Sequence, residues 1–485
     1  LAGTRVAIIG AGIGGLATAL ALKNSNAEIV ILERDPAPPD ITPERAFEDW
    51  QRPGVPQFRH AHIMLARLQT TLRDHHPELL KELLDAGLEL STVEQVLPPS
   101  RYEGVEPQPD DRDYLHLWGR RPTFEYVIRK HVGRLPNVKF LHGVKVVGLV
   151  TETDASHVRV RGVEYTLESD AKETLAADLV IDASGKHTKL PELLRAQGVE
   201  IEVISKPSGF VYSCRHYRLK DPSAAPPRQD GGGNFDYLGY ATFYAEHGNY
   251  ALTFGCPVDE TELAEAIKRP DGFEALCDQL PVLKQWTAAS EAKTKVLGAG
   301  RFENRWVYYR SRSGRELLDY FAVGDSHLET NPMYGRGCAS AFVQAQVLGE
   351  VLRDIPDPSR RSQVYYERTR ALLNPYFELS VATDRIYHTR ARMKRGLPVP
   401  FAERLINHAY ESAWLPATYS SPLMAREFLK SVEMREPSTS FVVRLLVLFH
   451  LTRAWLANLF GRKATLLEAP PRNEFLRRLA ARTSE

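Results

Sequence analysis

The stretch Val6-Ala7-Ile8-Ile9-Gly10-Ala11-Gly12-Ile13-Gly14-Gly15 leaves this chain little freedom in how it begins to fold. Four small or β-branched apolar residues suit a strand buried on both faces, as in a parallel sheet. The glycines follow at once, then an alanine- and leucine-rich helix over residues 16–23. A second buried strand, Glu28-Ile29-Val30-Ile31-Leu32, is closed by Glu33. Gly10 permits a tight turn, Gly12 lets backbone approach a pyrophosphate, and Gly15 lets helix pack closely on strand, with Gly14 completing the run. The helix N-terminus turns unpaired N–H groups and a partial positive charge toward the phosphates. Glu33 stands at about the twenty-residue spacing of a carboxylate that binds a ribose. Arg34 beside it reads equally as an adenosine-side contact or as a surface residue. Strand, glycine turn, helix, strand and acid together predict a dinucleotide cradle; a turn kept for packing alone needs no acid there.

Residues 6–22 carry no charge and approach the lower limit of a membrane span. The glycine turn divides the run, and no basic region precedes it, so neither a signal peptide nor a span is expected. The 485 residues suggest two or three domains. With 62 Lys and Arg against 61 Asp and Glu, the net charge of +1 excludes nucleic-acid binding through bulk charge and excludes charge-driven disorder. Cys214, Cys256, Cys277 and Cys338 show no metal-ligand spacing and read as reduced thiols of a cytoplasmic protein.

Two later segments repeat the strand-to-turn pattern. Ala177-Asp178-Leu179-Val180-Ile181-Asp182-Ala183-Ser184-Gly185 runs from an apolar strand into an acid and a small-residue turn. Leu318-Asp319-Tyr320-Phe321-Ala322-Val323-Gly324-Asp325 does the same, and Asn331-Pro332-Met333-Tyr334-Gly335-Arg336-Gly337 then opens a helix over residues 338–352. Glycines at that helix start suggest an anion or an electron-rich ring edge at its N-terminus.

Taken in this order, the motifs resemble the FAD-dependent monooxygenase family with the para-hydroxybenzoate hydroxylase fold, over residues 1–355. The resemblance implies that the first motif holds the ADP half of FAD and that Asp325 bonds the ribityl chain. It also implies that Pro332, Met333 and Tyr334, with Gly335 and Gly337, face the flavin ring and stabilise negative charge on its reduced form. Val55-Pro56-Gln57-Phe58-Arg59-His60-Ala61-His62 is similar to a segment of a bacterial epoxidase and hydroxylase subgroup and implicates Arg59. Gly119-Arg120-Arg121-Pro122 resembles the arginine that opens a helix toward the cofactor, implicating Arg121. Residues 137–149 resemble the strand whose backbone, near Val146, meets the adenine. Asp182 heads the family's middle motif, but Asp182-Ala183-Ser184-Gly185-Lys186-His187-Thr188 departs from the usual Asp-Gly form toward that of halogenases and isoprenoid-type reductases. The electron source is therefore either NAD(P)H or reduced flavin from a partner reductase.

The implied architecture is α/β: a Rossmann-like FAD-binding domain interleaved with a mainly antiparallel β-sheet substrate domain, plus a C-terminal helical region. Residues 1–200 and 301–355 form the FAD-binding part, with a pocket-bordering insert near 98–118. Residues 201–300 form the sheet, whose alternating strands (Phe210-Val211-Tyr212-Ser213-Cys214 and Tyr240-Ala241-Thr242-Phe243-Tyr244) are dense in aromatics. Asp230 to Asn234 is turn material. Residues 356–485 are helical, with stretches at 360–379 and 380–394.

His60 and His62, and the pair His75 and His76, invite a metal reading, but no acid or cysteine cluster stands at ligand spacing from His60 and His62 and no metal site is expected. Those two read as a helix-terminal surface, with a flavin- or pocket-lining role as the alternative. Arg336 either faces the flavin or solvent. Residues 441–460 are apolar except for Arg444, His450, Thr452, Arg453 and Asn458, which scatter around the helix. Its two arginines argue against a span, and burial against the domain or a second chain is the default, with a peripheral membrane contact as the alternative. Arg462, Lys463, Arg477 and Arg478 would favour an anionic surface.

The expected activity is hydroxylation or epoxidation of a hydrophobic small molecule (a polyketide, terpenoid or aromatic) by O2 through a flavin C4a-hydroperoxide. The alternative is a flavin-dependent reductase or dehydrogenase of an isoprenoid-like substrate without oxygen insertion. The halogenase signature Trp-x-Trp-x-Ile-Pro is missing. Oligomeric state is left open.

Overall fold

The computed structural model describes residues 3–98, 102–167, 169, 171–228, 232–309, 314–436, 441–461 and 470–482. The glycine motif forms as expected: β1 (Arg5–Ile9), α1 (Ile13–Ala21) and β2 (Glu28–Glu33) are one βαβ unit with parallel strands. Helix α2 (Arg121–Gly133) leads into β3 (Val138–His142), which pairs with β2. The segment expected as one strand over 137–149 is two elements, because the chain leaves the parallel sheet at Gly143, where φ is 69°. It continues as β4 (Lys145–Thr153), antiparallel to β5 (His157–Thr166). β6 (Leu179–Asp182) returns to the parallel sheet beside β1.

The substrate sheet holds β7 (Phe210–Leu219), β8 (Gly239–Tyr244) and β9 (Asn249–Pro257), all antiparallel, with shorter strands at its edges. Asp230 of the expected turn lies outside the described residues, and Gly232–Asn234 is a strand. Aromatics on the sheet do pack: Tyr217, Tyr250 and Phe254 are buried with helix Pro270–Gln279 and with Trp286 of helix Pro281–Ala288 in one apolar core.

The run 318–325 splits as well. Leu318 ends a strand paired with β5, and Asp319, at φ 59°, redirects the chain into β10 (Tyr320–Ala322) beside β6. The parallel sheet is thus β10-β6-β1-β2-β3, and its strand ends carry Asp182, Ile9, Glu33 and the Gly324-Asp325 turn to one edge. Helix α3 (Gly337–Asp354) packs on α1. The two stretches expected at 360–394 are a single helix, α4 (Pro358–Lys394), with Pro375 inside it. Then come α5 (Phe401–Ala409), a π-helical turn at Tyr410–Trp414, α6 (Leu415–Ser420), α7 (Pro422–Val432) and α8 (Phe441–Leu459).

Candidate flavin-binding site

The cradle glycines divide by what a side chain would meet. A Cβ on Gly15 would lie 1.9 Å from the Gly10 carbonyl oxygen, so α1 can pack on β1 only with hydrogen there. Gly10 sits at φ 97°, and a Cβ would fall 2.7 Å from the Ala183 carbonyl. Gly14 lies against Val323 and Gly324, joining α1 to the end of β10. Gly12 and Gly337, by contrast, face open space, with nothing within 4 Å of an added Cβ. Two helix starts, α1 and α3, therefore present bare backbone to the same edge of the sheet.

Glu33 is buried and heavily engaged. Its Oε2 accepts from the Ala11 N–H (2.9 Å), Arg52 (2.7 Å) and Arg129 (3.3 Å), and Oε1 accepts from the Asp35 N–H. Burial opposes its ionisation, yet the two guanidiniums hold its carboxyl below the ordinary range. Arg52 also reaches Asp35 (2.8 Å) and Glu125. Glu125 is fully buried and accepts from Arg121 Nε at 3.2 Å. Three guanidiniums (Arg52, Arg121, Arg129) thus face three carboxylates (Glu33, Asp35, Glu125) in a continuous buried network. It runs from the end of β2 to the start of α2.

Arg121 finishes that chain. Its Nη1 donates to His62 Nε2 at 3.2 Å, while His62 Nδ1–H donates to the His60 carbonyl at 2.8 Å. This arrangement fixes His62 as the neutral Nδ1–H tautomer, and burial beside Arg121 holds its pKa down at about 3. The positive charges nearest Asp325 are Arg121, Lys186 and Arg305. Burial pushes the Asp325 carboxyl above its usual range despite them. Unlike the other acids of the region, the Asp325 carboxylate accepts no hydrogen bond among the described residues; only its backbone carbonyl is used, by Arg305. A partly exposed, unpaired carboxylate beside Arg121 fits a ligand that brings hydroxyl donors. With the open faces of Gly12 and Gly337, it matches the needs of FAD.

The segment from Asn331 is pinned from both sides. Met333 packs against Gly255 of β9, where a Cβ would come within 2.8 Å of its Cε. Gly335, at φ 67°, lies against Ile63. Asn331 Nδ2 and Tyr334 Oη both donate to Asp384 on α4, at 2.8 and 2.6 Å, and Asn304 donates to its other oxygen at 2.7 Å. Arg120 at the start of α2 donates through N and Nε to buried Glu246, locking the substrate sheet to the cradle.

Several expected site residues stand elsewhere. Asp182 is consumed by its own turn, accepting from Ser184, Thr188 and Tyr320, so it shapes the edge rather than reaching out. Arg34 is exposed and donates to the Gly54 carbonyl. Arg59 spends its guanidinium on the carbonyls of Glu48 and Trp50. Val146 lies in the antiparallel pair opposite Tyr165, two residues beyond Val144, whose N–H donates to the Glu33 carbonyl. Arg336 faces neither flavin nor solvent: it is buried against α4, donating to the Tyr376 carbonyl and Ser380, with its guanidinium 5.1 Å from the Tyr334 ring. The helix following it starts at Gly337, one residue before the expected 338. Among the described residues no His, Cys, Asp and Glu cluster could hold a metal.

Sequence reasoning missed Arg52, Glu125, Arg129 and Asp384. Two of them had a signal: Glu125 and Arg129 follow Arg121 at four-residue steps on one helix face.

The architecture is the fold found in flavin-dependent oxidoreductases of the para-hydroxybenzoate hydroxylase type. Residues 8–71 match the NAD(P)-binding Rossmann-like domain family. Protein Rv3254 of Mycobacterium tuberculosis is 26% identical over 481 residues, 93% of this chain and 94% of that protein. Squalene monooxygenase 1,2 of Brassica napus is 28% identical over 224 residues, 45% of this chain and 38% of that protein. Among solved structures, the flavin-dependent brominase Bmp2 superposes with TM-score 0.61 at 14% identity, over 93% of this chain and 99% of its own. The p-nitrophenol 4-monooxygenase PnpA of Pseudomonas putida DLL-E4 gives 0.59 at 16%, over 89% and 98%.

Proposed function

We propose that this chain is an FAD-dependent monooxygenase that hydroxylates or epoxidises a hydrophobic small molecule. The observation that carries the reading is the unpaired Asp325 carboxylate, set between the open N-terminus of α3 and Arg121. The other acids at this edge are neutralised by the chain itself; this one is left for a ligand's hydroxyls. FAD, when bound, supplies the redox chemistry and the activation of O2.

The protein's part is positioning. Gly12 and the first N–H groups of α1 would receive the pyrophosphate, and Glu33 Oε1 has capacity left for a ribose hydroxyl. Arg121, held by Glu125 and His62, sets the charge beside the ribityl chain. The turn from Pro332 to Gly335 spends its own N–H groups on Asn331 and Pro332 and is clamped by Asp384, so the N–H groups left for the ring edge are those at the start of α3. His60, His62 and His216 are all held neutral by burial, at about 4, 3 and 4, so the space between the 58–62 loop and β7 carries no titrating charge at neutral pH. Tyr212, stacked on Phe302 at 5.0 Å and backing Met333, adds an apolar wall. Such a dry, weakly polar wall suits an apolar substrate, as does the partial likeness to a squalene monooxygenase. Electrons would come from NAD(P)H, directly or through a reductase.

Oxygen bookkeeping tests the reading. Purified flavoprotein reduced anaerobically and then given labelled O2 with an apolar polyene or aromatic should place the label in product. Product formed without O2 would instead establish a reductase or dehydrogenase. Asp325→Ala should purify as folded protein with little flavin; full flavin content in that variant would overturn the cofactor assignment.

A further inference from the structure

The C-terminal helices leave a surface that neither the cradle nor the substrate sheet explains. Helix α8 has no polar face, its few polar residues being scattered, and a helix so apolar is ordinarily covered on most sides. Here only one stripe is covered: Val447, Leu451 and Ala454 pack on Ala417, Leu423 and Met424 of α6 and α7. Leu445, Leu448, Phe449, Trp455, Leu456 and Leu459 are exposed. By length and composition Val442–Leu459 could cross a membrane, yet only 6% of it is buried. At 19 residues the helix is about 28 Å long and about 10 Å wide, so its uncovered half alone presents roughly 450 Å². That equals the largest patches of ordinary monomers.

A second element extends the patch. Helix α5 and α8 both pack on the π-helical turn at 410–414, and α5 points Phe401 (81% exposed), Leu405 and Ile406 outward. The exposed residues of both helices thus lie on elements that border the same turn, Tyr410–Trp414.

We propose that α5 and α8 together dock on the interfacial layer of an anionic lipid bilayer, with α8 lying flat. Charge selects this occupant. Residues 441–461 contain Arg444, His450 and Arg453 and no Asp or Glu. A two-fold pairing of α8 with a second copy would set the same cations against one another, whereas a bilayer offers them anionic headgroups. Trp455 has the amphipathic ring favoured at headgroup level, and the exposed Phe401 and Phe460 add apolar area. Orientation follows from the packed stripe: Val447 to Ala454 is bound lengthwise to the protein. A spanning α8 would carry α6 and α7, with Glu427 and Lys430, into hydrocarbon.

Co-sedimentation of the full chain with phosphatidylcholine vesicles, with and without phosphatidylglycerol, tests this independently of flavin. Binding should be strongest to the anionic vesicles, and Arg444→Gln should cut that preference roughly fivefold. Phe449→Glu or Leu445→Glu, and separately Phe401→Glu, should lower vesicle affinity by about tenfold or more while leaving circular dichroism and flavin content unchanged. Because both faces are exposed, at least one of these variants will fold. Lipids brominated near the headgroup should quench Trp455 more than lipids brominated at the chain end, with Trp455→Phe as the reference. The proposal is overturned by absence of vesicle binding, by a dimer that the same glutamates dissolve, or by quenching greatest at the bilayer centre.

Discussion

Tyr334 Oη donates to Asp384 Oδ1 at 2.6 Å, tying the turn before α3 to the middle of α4, fifty residues later. Asp384 also receives Asn331 and Asn304, so one buried carboxylate organises three donors around the segment that fits a flavin ring. The C-terminal helical region is therefore part of the site's frame.

Removing that carboxylate isolates its contribution. Asp384→Ala leaves three buried donors without an acceptor and should cost about 3 kcal/mol or more in urea unfolding. Tyr334→Phe removes a single bond and should cost about 1 kcal/mol. If the alanine variant unfolds like wild type, the network is not holding the turn.

The two cradle glycines should separate folding from cofactor retention. Gly15→Ala drives a methyl into the Gly10 carbonyl and should yield insoluble or strongly destabilised protein. Gly12→Leu enters open space and should fold with native circular dichroism, yet purify without a flavin spectrum. A colourless Gly12 variant beside a yellow wild type would place the pyrophosphate. A fully yellow one would remove it from this loop.

The contrast between these glycines also shows what a sequence can reveal. The cradle is local: strand, turn and helix are read from residues 5–33, and each glycine's role follows from its place in that unit. The same locality made Asp182 and Arg336 misleading. Asp182 looks like a ligand because it ends a strand, but Ser184, Thr188 and Tyr320 supply it with four donor groups from inside the chain. Arg336 lies between two glycines, and only the packing of α4 shows that it turns inward. Asp384 carries no motif and acts through tertiary contact alone. For α8 the sequence shows an apolar helix but cannot say which sides are covered, because coverage depends on α6 and α7.

The buried charge network predicts an asymmetric response to mutation. Arg52→Met removes the one guanidinium that Glu33, Asp35 and Glu125 share, leaving Arg129 and Arg121 to balance three nearly inaccessible carboxylates. It should cost about 3–5 kcal/mol or abolish soluble expression. Arg34→Met, one position beyond Glu33 but exposed, should change stability by less than about 0.5 kcal/mol. Equal effects from the two substitutions in thermal unfolding would deny the network its role.

Acid should weaken the fold through its neutral histidines. His216 accepts no proton until about pH 4 in the folded chain, because burial excludes its charged form; its Nε2 meets the Arg59 carbonyl. Once unfolded, it titrates near the ordinary value of about 6.5. Between those limits the unfolded chain binds the extra proton, so the stabilisation is complete above about pH 6.5 and is lost as pH falls toward 4. Buried carboxyls with raised pKa (Asp182, Asp325, Glu329 and Asp384) pull the opposite way, which makes the wild-type curve alone a poor test. A comparison with His216→Gln cancels them. The variant's unfolding free energy should fall less steeply between pH 6.5 and 4, by up to about 1.4 kcal/mol per pH unit. Parallel curves for the two proteins would show that His216 is already charged in the fold, and that the wall beside the candidate flavin site is more polar than its burial implies.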